Sequence, residues 1–140
     1  MRELSIEESI INAVKSLLTG RMNELLEELE YQIPLIEFGY GNAPVIRLIA
    51  AERNEKDRII KIDAYTLTIV FTVPEKDGES NCYAYAATVE QAIGEEPTLG
   101  GVVDRAVLTG KKYTPPKVAH CGEHWELAIT LRITIEGLAI

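Results

Sequence analysis

The densest group of reactive side chains in the sequence is His120-Cys121-Gly122-Glu123-His124, one thiol and two imidazoles within five residues. Thiolate and imidazole are ligands that zinc prefers, but a structural zinc takes four of them. The fourth would have to be Cys82 or a carboxylate from elsewhere, and no spacing points to one. Nucleophilic chemistry is no better supported, because Cys and His adjacent in sequence are not thereby in attacking geometry and no third group orients the base. The alternative is a polar turn entering the last strand, with Cys121 partly buried and both histidines near solvent. Thr98-Leu99-Gly100-Gly101 lacks the Gly-Lys-Ser/Thr ending of a phosphate loop and is followed by a strand-like segment, so it reads as a tight turn needing positive φ. The glutamates show no pair set apart in unlike environments, which acid-base work at neutral pH requires. The sequence therefore assigns no catalytic residue, no cofactor and no metal site.

The elements that would position any site fit one domain. A chain of 140 residues buries roughly 68–70% of its unfolded surface, enough for one core. With 46% apolar and 26% charged residues it has the composition of an ordinary folded domain. Fourteen basic residues against 22 acidic ones leave a net charge of −8, which opposes non-specific attraction to phosphates or anionic lipid. No apolar run approaches the roughly 20 residues that span a bilayer, and Glu3, Glu7 and Glu8 interrupt any signal-peptide pattern. The expectation is a cytoplasmic protein with no membrane and no specific nucleic-acid partner, its two cysteines reduced.

Ser5 followed by Glu8 is a capping box, and Ile6, Ile10, Val14, Leu17 and Leu18 recur at helical spacing. Thr19-Gly20 reads as its end, with a second helical stretch over residues 21–31 whose Glu24, Glu27, Glu28 and Glu30 make a solvated face. Pro34 and residues 39–44 form an irregular connection. Strands are expected over residues 45–51 and 59–73, joined by the wholly polar residues 52–58 as a charged hairpin tip. In the second, Tyr65, Leu67, Ile69, Phe71 and Val73 share a face. Ser80 or Asn81 would cap a helix reaching Ile93, with Cys82, Tyr85, Ala86, Val89 and Ile93 inward. A strand over residues 102–108 follows. The last strand, from Trp125 to Gly137, alternates Leu127, Ile129, Leu131, Ile133 and Ile135 with polar residues. Lys111-Lys112 and Lys117 beside Tyr113 read as a loop kept soluble. The order predicts an α+β fold: an antiparallel sheet of about four strands, with N-terminal helices and one inter-strand helix on one face.

This arrangement resembles the tail terminator and tail completion proteins of tailed bacteriophages and prophages. The resemblance rests on the N-terminal helical segment, on Pro44-Val45-Ile46-Arg47-Leu48 opening the first strand, and on Thr98-Leu99-Gly100-Gly101-Val102-Val103 opening the third. A long amphipathic C-terminal strand completes it. It implies a non-enzymatic virion protein, a homo-oligomer forming a hexameric ring that caps the tail tube and meets the tube protein and the head-tail connector. The protein would then reside in the virion tail, and in host cytoplasm during assembly. Glu52, Arg53, Lys56, Asp57 and Arg58, at the hairpin tip, are the candidate oligomer contacts, and an idle solvated loop is the competing reading. An acidic wall would keep passing DNA from adhering. A small-ligand or metal-binding regulatory α+β module and an enzyme using Cys121, His120 or His124 remain as alternatives.

Overall fold

The strictest alternation in the chain, in its last strand, marks the middle of the sheet. In a computed structural model, residues 5–31, 43–55, 59–116 and 124–138 are described. The elements run α1 (Ile6–Glu28), β1 (Val45–Glu55), β2 (Ile60–Pro74), α2 (Gly78–Glu95), β3 (Arg105–Thr114) and β4 (His124–Leu138). All strand pairs are antiparallel and the spatial order is β1-β2-β4-β3. The two 15-residue strands are thus central, and residue 60 of β2 faces 138 of β4 in an unbroken register down to 74 facing 124. The fold is the expected α+β one.

Tyr65, Leu67, Ile69, Phe71 and Val73 of β2 and Leu127, Ile129, Leu131 and Ile133 of β4 are all buried on one face of the sheet. The helices cover that face. From α2, Cys82, Tyr85, Ala86, Val89 and Ile93 point inward as their spacing predicts, and Tyr85 stacks on Phe71 with ring centroids 5.9 Å apart. From α1 the stripe is Ile10, Val14, Leu18, Met22, Leu25 and Leu26.

That stripe is why the expected break at Thr19-Gly20 does not occur. α1 is one 23-residue helix, because Val14, Leu18, Met22 and Leu26 follow at intervals of four straight through Gly20. Burying four such side chains outweighs the ~1 kcal/mol that an exposed helical glycine costs. Ser5 does cap the helix: its Oγ accepts from the Glu8 N–H at 3.1 Å and donates to the Glu8 carboxylate. The actual stop is ten residues beyond Gly20. Tyr31 N–H donates to Leu26 C=O and Glu30 N–H to Glu27 C=O, a Schellman pair with Glu30, φ 60°, in the left-handed position usually held by glycine. The expected irregular connection at residues 34–44 lies largely outside the described residues.

Three further boundaries move. β1 continues to Glu55 rather than stopping at Ala51, because Glu52, Arg53, Asn54 and Glu55 pair with Ala64, Asp63, Ile62 and Lys61. Residues 51–54 of this edge strand are exposed on both faces, so polar side chains do not end it. α2 begins at Gly78, with Asp77 left-handed at φ 55° as its N-cap, and Ser80 Oγ donates back to Asp77 C=O. β3 begins at Arg105, since Thr98-Leu99-Gly100-Gly101 forms a turn with φ of 52°, 75° and 90° at its last three residues, and the Gly101 and Val103 N–H groups both donate to Thr98 C=O. The turn buries Leu99 and Val103 against the core.

Candidate interaction surface

Helices cover one side of the sheet, and the other side is open among the described residues. Residues paired across antiparallel strands share a face, so the register reads out that open side row by row. One row is Val45, Val70, Ala128 and Lys112; the next is Arg47, Thr68, Thr130 and Gly110. Then come Ala50, Thr66, Arg132 and Val107, and Glu52, Ala64, Thr134 and Arg105, with Asn54, Ile62 and Glu136 beyond these and Thr72, Glu126 and Thr114 at the opposite end. The middle of this face is a floor of threonine, alanine and valine. Its long side chains stand at Arg47 and Glu52 on one edge strand, Arg105 and Lys112 on the other, and Glu126, Arg132 and Glu136 on β4 between them. Apolar side chains are uncovered here as well: Val45 is 47% exposed and Val107 36%. Ile49, the extra residue of a bulge in β1, is 62% exposed.

Charge is divided between the two faces. The helices carry eight carboxylates and two cations, Lys15 and Arg21. On the open face four cations, Arg47, Arg105, Lys112 and Arg132, meet three carboxylates, Glu52, Glu126 and Glu136. Those four cations take part in none of the ion pairs among the described residues. On the helix side the acids are tied down instead. Arg21 binds Glu24, Glu28 and Glu95 at 2.9 to 3.0 Å and so links α1 to α2. The expected solvated glutamate face is in part this network. Its hydrogen bonds, that to Glu95 first, raise the pKa of Arg21, and Arg21 with Gln91 holds the Glu95 carboxyl below its usual range.

Of the five candidate contact residues at the hairpin tip, Glu52 and Arg53 belong to β1, and Lys56, Asp57 and Arg58 lie outside the described residues. The two described ones separate. Glu52 is on the open face, whereas Arg53 shares the opposite face with Asp63 and binds it at 2.7 Å, depressing the Asp63 pKa. Lys111 and Lys112 are strand residues, not loop. Lys111 reaches over the helix layer to Glu90 at 3.1 Å, and Lys112 stands on the open face.

His120 and Cys121 lie outside the described residues, and His124 is exposed at the start of β4, opposite Pro74. Among the described residues no three His, Cys, Asp or Glu side chains gather as a metal group. Cys82 is buried, and burial pushes its thiol up to about 11. A thiol so placed is unreactive at neutral pH. At the N-terminal end of α2 an open cleft of about 520 Å³ is lined by Glu75, Asp77, Glu79, Tyr83 and Trp125, among others. Tyr83 donates to Glu79 at 2.7 Å and meets Tyr113 edge-on at 5.0 Å. A smaller groove of about 440 Å³ on α2 is lined by Ala87, Glu90, Gln91, Gly94 and Glu95. No described helix is long and apolar enough to cross a membrane.

The chain matches no protein-family model and no curated protein sequence. What it can do is therefore read from its own surfaces. The cationic face escaped the sequence reading because its members come from three strands, and only the register brings them together. The alternation in β4 put Arg132 opposite the apolar face, which was the one local signal.

Proposed function

We propose that this protein is a structural assembly subunit that docks side by side with copies of itself, in the manner of a phage tail terminator: a ring that caps a tail tube and meets the head connector. The observation that carries the reading is a face of the four-stranded sheet that no other described residue covers, bounded by two edge strands and carrying exposed Val45 and Val107, with exposed Ile49 at the β1 bulge. Unpaired strand edges and uncovered sheet faces are the surfaces that proteins use to meet other chains. The acidic surface that a DNA-conducting ring needs is supplied by Glu7, Glu8 and Glu27 of α1. The protein works, on this reading, in the virion tail and in host cytoplasm during assembly, without catalysis. Light scattering across concentrations, with negative-stain imaging, tests it. Annuli with a mass several times the 15.5 kDa of one chain are expected, and single chains at every concentration overturn it.

A second reading, a small-ligand module, has the α2 cleft in its favour. Three carboxylates beside Trp125 and Tyr83 suit an organic cation. A thermal-shift series with polyamines tests it: a concentration-dependent rise in Tm supports it, and a flat response dismisses it.

A further inference from the structure

We infer that the partner of the open sheet face is the α2 side of the helix layer of a second copy, so that subunits join head to tail through unlike surfaces. This rests on the self-assembly reading and specifies its interface. Both surfaces are present on every chain. The open face offers four cations with no ion pair among the described residues, beside Glu52, Glu126 and Glu136 and around a floor of small side chains, whereas the helices carry eight carboxylates and two cations. The α2 groove is lined by Glu90 and Glu95 beside Ala87 and Gly94; Arg21 already engages Glu95, and Lys111 holds Glu90 through Oε2 alone, so Glu90 Oε1 is the acceptor left for a guanidinium of a second copy.

Four strands about 4.8 Å apart and a longest strand of about 46 Å give the sheet face an area on the order of 800 Å², of which α2, 18 residues and about 27 Å long, would cover a part. Nucleic acid is the other polyanion that could meet the face, and the chain's charge of −8 opposes it. Unlike surfaces on opposite sides of a two-layer subunit generate a ring wherever successive copies turn enough to close.

Two variants separate the possibilities. Arg47→Glu with Arg132→Glu reverses the sheet face and leaves the helix face intact; Glu90→Lys with Gln91→Lys does the converse. All four positions are exposed, and far-UV circular dichroism with a cooperative melt checks each fold. Each variant alone is expected to lose assembly and run as one chain. Their equimolar mixture contains one intact pair of faces and one charge-swapped pair, so it is expected to regain species of at least twice 15.5 kDa. Should a reversal unfold the chain, Arg47→Gln with Arg132→Gln serves in its place, and weaker, less salt-sensitive assembly is expected. Wild type that assembles while the sheet variant assembles equally well overturns this pairing and leaves self-assembly standing. Single-chain variants whose mixture regains no assembly overturn it as well. Wild type that never assembles removes both. Binding of a labelled DNA duplex by wild type, lost in the sheet variant, assigns the face to nucleic acid instead.

Discussion

Replacing Gly20 by alanine tests the continuity of α1, where the local signal and the structure disagree. A glycine that ends a helix does so in the left-handed conformation, and alanine there is strained and destabilising. In the structure Gly20 is helical and exposed, and a Cβ built on it meets nothing within 4 Å. Alanine then gains helix propensity and loses unfolded-state entropy without a clash, a stabilisation of about 0.5–1 kcal/mol. For a chain of this length that raises Tm by about 2–4 °C. The complementary change is at the true terminus, where Glu30 holds φ 60°. Glu30→Gly relieves the strain of a left-handed side chain, partly offset by added unfolded-state entropy, for a net gain of up to about 1 kcal/mol. The assay is a thermal melt followed by far-UV circular dichroism, with urea titration as a second measure. A fall in Tm for Gly20→Ala, together with a fall for Glu30→Gly, would show that the helix ends at Gly20 and refute the single-helix account.

Gly78→Ala has the opposite sign, because its Cβ would collide with Cδ1 of Trp125; a loss of about 1–3 kcal/mol in urea unfolding and a red-shifted emission from this lone tryptophan are expected. Leu131→Ala, at a fully buried position in central β4, should cost about 2–5 kcal/mol by the same titration. The Glu95 and Asp63 carboxyls are both held below their usual values of 4.5 and 3.8, so the stability they supply is complete above about pH 4.5 and is lost as pH falls further. Arg21→Gln should therefore flatten the fall in Tm between about pH 5 and pH 3 relative to wild type. In a Cys121→Ser chain, Cys82 should resist a thiol reagent at about pH 8 until urea unfolds the protein, as its burial and raised pKa require.

The fold class and the faces of β2, α2 and β4 are legible in the sequence because each is buried on one side only. Leu127 to Ile135 and Tyr65 to Val73 then keep strict period two, and Cys82 to Ile93 keeps helical period. Boundaries are less legible where a local signal competes with packing. Thr19-Gly20 carries a stop signal that the Val14, Leu18, Met22, Leu26 stripe overrides, and Glu30 ends the helix with no glycine to announce it. β1 hides its second half for another reason: at an edge, Glu52 and Arg53 pair without being buried, so no alternation marks them. The cationic face is less legible still, since Arg47, Lys112 and Arg132 come to share a face only through three strand registers and the bulge between Leu108 and Gly110.

Native mass spectrometry of the wild-type chain tests the central claim most directly. The account predicts a discrete closed oligomer at a whole-number multiple of 15.5 kDa that falls apart as salt is raised before spraying; a single 15.5 kDa species at every concentration and salt would contradict it.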